Sequence, residues 1–169
     1  MADRVSASIV IGGSLTAFAF EELCDVVSSE GLAIEWDGEP FAAHHYVPGD
    51  PLSLFAHEVA GGQFDELEIW CVANALPFVR WCGSYSGQWG PERVVFSGTG
   101  APRSFAVSED DVAMIDRETI ERLGSLEAAL AYFEAADFVV PPLVVEGAVL
   151  EPDGATDTLS HAEGSAHVE

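Results

Sequence analysis

The chain has 169 residues, 29 of them acidic, with six arginines and no lysine, for a formal net charge of −23 and a pI near 4.1. An average soluble domain of this length would hold about 21 acids and about 21 bases, so the missing cations make the chain acidic more than added carboxylates do. A charge balance of this kind, with no Lys/Arg cluster, excludes ordinary binding to nucleic acid and attraction to anionic lipid.

With 49% hydrophobic residues the chain can build a core and is not globally disordered. No apolar run approaches the roughly 18 residues of a membrane span, and the N-terminus lacks signal-peptide architecture. Cys24, Cys71 and Cys82 are an odd number at unrelated spacings. That pattern fits free buried thiols in a reducing compartment and predicts a cytoplasmic protein.

Val5, Ala7, Ile9 and Ile11 alternate with Ser6 and Ser8, predicting a half-buried strand over 5–11. Gly12-Gly13-Ser14 breaks it and offers Ser14 as a helix N-cap. Residues 15–29 read as a helix, with Phe20, Leu23 and Val27 inward and Glu21, Glu22 and Asp25 outward. Gly31 ends it, 32–36 reads as a strand, and Asp37-Gly38-Glu39-Pro40 is turn chemistry. The same unit then recurs, as a strand over 52–59, a helix over 64–74 and a strand over 77–81. Glu21-Glu22-Leu23 stands 44 residues before Asp65-Glu66-Leu67. Two tandem strand–helix–strand units predict an α+β fold, a ferredoxin-like βαββαβ sandwich.

Beyond it, 93–96 and 103–107 read as a hairpin and 112–115 as a short strand. Asp116 and Ser125 cap two C-terminal helices, the second burying Leu126, Leu130 and Phe133. Pro141-Pro142 ends regular structure. The expected organisation is a single acidic domain over 1–145 and a disordered acidic tail over 146–169. Of the net charge of −23, −5 falls in 151–169 and −18 in 1–150.

A metal site is not expected. His44-His45 and His57 lack the spacing of a ligand set, and no CxxC or HExxH occurs. No GxSxG elbow occurs, Ser84 has no histidine near it in sequence, and Gly12-Gly13-Ser14 lacks a P-loop lysine, so neither a nucleophile nor a cofactor is expected.

Two features remain. The first is the acidic surface: Glu21, Glu22 and Asp25 on one predicted helix, Asp65, Glu66 and Glu68 on the other, and Asp110 and Asp111 in a turn. If both helices lie on one side of the sheet, their acids form one negative face. That reading predicts a non-enzymatic module docking onto a basic protein surface, such as a nucleic-acid mimic inhibiting a nucleic-acid-binding protein of a host defence. Solubility explains the same charge. The second is the glycine- and aromatic-rich loop 81–96, where Trp81, Tyr85, Trp89 and Arg93 would serve a small-ligand or enzymatic module. Its alternative is a loop folded over its own small core. A homodimer through an open sheet edge or the exposed aromatics is compatible with both.

Overall fold

A computed structural model describes residues 3–147. Among these residues the fold is mixed α+β, with four α-helices, a five-stranded antiparallel sheet and a two-stranded parallel one. In chain order the elements are β1 (Arg4–Ile11), β2 (Gly13–Leu15), α1 (Ala17–Ser29), β3 (Leu52–Ala60), α2 (Asp65–Ala73) and β4 (Phe78–Cys82). They continue as β5 (Glu92–Phe96), β6 (Arg103–Ala106), α3 (Arg117–Leu123), α4 (Leu126–Ala136) and β7 (Leu143–Val145). The main sheet runs β3-β1-β4-β5-β6.

The pleat sends alternate residues to opposite faces. Ala7, Ile9 and Ile11 of β1, Leu52 and Leu54 of β3, Phe78 of β4, and Val94 and Phe96 of β5 meet Leu23, Val27, Leu67 and Cys71 of α1 and α2 in the main core. The intervening residues Val95 and Phe105 meet Ala136, with Val79 and Tyr132 packed beside them. Thus α1 and α2 cover one face, and α4 covers the β5–β6 half of the other. Glu30 at the end of α1 ties the two helices of the first layer together. Its Oε1 accepts the Glu66 and Leu67 N–H groups at 3.0 and 3.4 Å, filling orphan donors of the first turn of α2.

Five local expectations are corrected. Residues 32–36 form no strand: Ala33 alone pairs, with Phe55 and with Pro40, because the chain reverses at once through Glu35–Gly38 with Asp37 at φ 58°. Thr16, not Ser14, caps α1, its side chain accepting the Ala19 N–H at 3.1 Å. Ser14 lies instead in β2. Residues 112–115 contribute one bridge, Val107 to Ala113. Regular structure also continues past Pro141-Pro142, because β7 pairs in parallel with β2. Prolines before a strand remove only donors, and the ladder begins at Leu143.

The fifth correction concerns α4, which turns Ala129 and Ala136 inward and leaves Leu126 and Leu130 exposed. Small side chains let the helix approach the sheet, and Tyr132 fills the remaining space edge-on to Phe105 at 5.0 Å. Asp116 and Ser125 cap α3 and α4 as expected, accepting from Thr119 and Ala128. The tail expected from 146 lies, from 148 onward, outside the described residues.

Candidate functional site

The acids singled out from the sequence divide into two groups. Glu21, Glu22 and Asp25 stand exposed on α1, and Asp65 and Glu66 stand exposed on α2. Apolar side chains are exposed on the same two helices, with Phe18 of α1 and Ile69 of α2 each 70% accessible. Ile69, Val72 and Ala73 line, with Asp65, Glu68 and Pro102, a groove of about 450 Å³. Asp110 is exposed beside them in rank but not in place, being in the turn before α3.

Glu68 and Asp111 are engaged internally. Arg80, only 2% exposed, points from β4 into the main core. Its Nε lies 2.7 Å from Glu68 Oε1, its Nη2 donates to Glu92 Oε1 at 3.0 Å, and its Nη1 donates to the Gly62 carbonyl oxygen at 2.9 Å. Burial pushes the Glu68 carboxyl up, against the opposing pull of Arg80.

Arg93 does the equivalent on the other face. It pairs with Asp111 Oδ1 and Asp137 Oδ1, both at 2.9 Å, and donates to the Ala136 carbonyl oxygen at 2.8 Å and to the Asp111 carbonyl oxygen. Two of the six arginines therefore hold α2 and α4 to the sheet, and Arg93 is a clamp within the fold rather than an open ligand contact.

The loop after β4 closes on itself. Tyr85 and Trp89 stack at 5.1 Å between centroids and exchange backbone hydrogen bonds across a tight turn. Ser84 donates to Glu109. Trp81 lies apart, on the sheet face that α4 leaves uncovered.

There the structure assembles residues that sequence distance conceals. Trp36, from the turn after α1, packs at 5.0 Å against Phe55 and against His57, and edge-on to Trp81 at 6.5 Å. Ser6 Oγ lies 2.9 Å from His57 Nδ1, and His57 Nε2 lies 3.2 Å from Asp37 Oδ1. The order is that of nucleophile, base and orienting acid. The surroundings are not those of acyl transfer. Asp37 is 88% exposed, so water competes for it. The nearby Gly83 N–H donates to the Ser6 carbonyl oxygen at 3.0 Å and does not meet a developing oxyanion. The 5–11 alternation and the turn at 37–40 placed Ser6 and Asp37 on opposite sides of a helix in sequence; only the β1–β3 register brings them to His57.

The cysteines are free. Burial pushes the Cys71 thiol up to about 12 and raises Cys24 and Cys82 as well, which keeps all three protonated and poorly nucleophilic. Among the described residues no three His, Cys, Asp or Glu side chains converge as a metal site would need, and no helix is long and apolar enough to cross a membrane.

Comparison with protein-family models, with curated proteins and with solved structures finds no match to this chain in any of the three.

Proposed function

We propose that the protein is a non-enzymatic, acidic protein-binding module whose α1–α2 layer docks onto a basic surface, in the manner of a nucleic-acid mimic blocking a nucleic-acid-binding protein. The observation that carries this reading is the division of charge. The two most buried cations, Arg80 and Arg93, are enclosed by their own carboxylates. Glu21, Glu22, Asp25, Asp65 and Glu66 are left outward on two adjoining helices that contain no arginine. Exposed Phe18 and Ile69 among those acids favour docking over solubility alone, because interfaces join apolar anchors to a charged surround.

In this reading the architecture is a ferredoxin-like sandwich whose second strand has shrunk to the Ala33 bridge. The antiparallel order β3-β1-β4 and the position of Ala33 outside β3 support it. The aromatic platform around Trp36 is the second surface, suited to a small ligand, and is favoured only if the helix acids prove silent.

The test is capture of cationic nucleic-acid-binding proteins from a cell extract on the immobilised full chain, at low and high salt, with duplex DNA as competitor. A salt-sensitive, DNA-displaceable partner is expected. Reversal of Glu21, Glu22, Asp65 and Glu66 to lysine should abolish its capture, with the fold checked by circular dichroism. Capture that survives this reversal would sink the proposal.

A further inference from the structure

The layer formed by α1 and α2 stops short of the far edge of the main sheet. Leu67 and Cys71 of α2 point into the main core, and Val94 and Phe96 of β5 are buried with them. In the β5–β6 register Ser104 stands opposite Val94 and Ala106 opposite Glu92, so both lie on this same face. Both are exposed, and no element of the described residues covers them. The alternate residues Arg103 and Phe105 turn to the face that α4 covers, with the Arg103 guanidinium 5.1 Å from the Phe105 ring centroid.

Next to this bare strip lies the groove of about 450 Å³ between α2 and Pro102, the residue that leads into β6. Asp65, Glu68, Ile69, Val72 and Ala73 recur at helical spacing along its α2 wall. Ile69 is 70% exposed and Val72 37%. An open apolar stripe on one helix, beside small side chains on an uncovered sheet face, is the setting in which a further helix of the same layer packs.

We infer that this groove, between α2 and the exposed face of β6, accepts an amphipathic, basic helix of a partner protein. The inference rests on the acidic docking reading above and gives that partner its contact mode. Helices bound in grooves are anchored by apolar side chains at i, i+3, i+4 and i+7. Here such anchors would lie along Ile69, Val72 and Ala73.

Charge chooses the occupant. Arg80 is shared between Glu68 and Glu92, one cation for two carboxylates, and Glu92 also accepts from Ser104 Oγ at 2.8 Å. Asp65 adds a further negative charge to the groove, while Arg103 is turned to the opposite face. A second copy seated through the same patch would set these carboxylates against their own counterparts. Residues 148–169 carry acids and no lysine or arginine, so they match the groove no better. A helix with an apolar stripe flanked by lysines or arginines satisfies both the stripe and the charge.

The experiment titrates the full chain with a fluorescent peptide of about 15 residues, with leucine at i, i+3, i+4 and i+7 and lysine at its other positions. A second peptide has the same composition in an order that scatters the leucines around the helix. The first should bind, and the second should bind about tenfold more weakly or less, as expected when a buried leucine contact is lost. Ile69→Ser, at an exposed position, should weaken the first peptide about tenfold. Ala106→Gln, which crowds the strip from the sheet side, should weaken it as well, and Phe18→Ser on α1 should leave it unchanged. Circular dichroism checks the fold of each variant.

Equal affinity for both peptides, or a loss with Ile69→Ser and Ala106→Gln no greater than with Phe18→Ser, would overturn helix docking and leave charge attraction by the acids standing. Binding of neither peptide at low salt would overturn it too. So would a dimer of the free chain, seen by sedimentation and removed by Ile69→Ser, which would give the groove to a second copy. Partner capture with the four-acid reversal described above judges the docking reading separately.

Discussion

Replacing Arg80 by methionine isolates the main polar device of the core. The guanidinium is 2% exposed and is held by Glu68, Glu92 and the Gly62 carbonyl at 2.7, 3.0 and 2.9 Å. At an effective dielectric near 20, each carboxylate contact is worth about 4 kcal/mol before desolvation, which cancels several kcal/mol of it. Methionine follows the aliphatic stem but leaves Glu68, whose side chain is 17% exposed, without its counter-charge. The expected loss is about 3–5 kcal/mol at neutral pH. That is a large part of the stability of a domain this size, and a fall in Tm on the order of 10 °C.

The sign of the pH dependence follows from Glu68. Burial raises its carboxyl above the ordinary carboxylate range even with Arg80 present. A raised acid gives stability that is full below its unfolded value and is lost as pH rises through its folded value. Without Arg80 the folded value rises further, so the deficit of Arg80→Met should shrink as the pH is lowered toward 4.5. Adding Glu68→Leu should restore most of the loss at neutral pH. Urea unfolding followed by tryptophan fluorescence, at neutral and mildly acid pH, measures all three chains. A deficit under about 1 kcal/mol, or one unchanged by acid, would refute the buried-pair account.

Two further outcomes are expected. Cys71, with its thiol pushed up to about 12, should resist a disulfide reagent in the folded protein at mildly alkaline pH and react only on unfolding; fast modification of Cys71, located by mass spectrometry, would contradict its burial. Gly12→Ala sets a Cβ 1.8 Å from the Pro141 carbonyl oxygen, so the β2–β7 pairing must give way. A loss of about 1–3 kcal/mol is expected, with faster amide exchange at Leu143 and Val145, and an unchanged unfolding midpoint would show that the segment moves freely aside.

Sequence periodicity was sufficient for the elements whose pattern is local. The 5–11 alternation, the 52–59 strand, both long helices of the repeat and the 93–107 hairpin correspond to β1, β3, α1, α2 and β5–β6. Side-chain period acts within a few positions along the chain, so the local order of residues carries these elements. The same holds for the overall charge and for the outward acids of α1 and α2.

Tertiary structure decided the rest, for reasons of distance and competition. The 32–36 segment alternates like a strand, but the reversal through Asp37 leaves only Ala33 paired. Leu126 and Leu130 have helical spacing, yet the sheet admits the alanine face of α4 more closely. Which carboxylates Arg80 and Arg93 meet is settled only when β4 and β5 turn them under α2 and α4. Trp36, His57 and Ser6 meet only because β1 pairs with β3 in one register. A strand's pattern says which residues share a face; which strand becomes its neighbour, and which edge stays bare, is settled only when the whole chain packs.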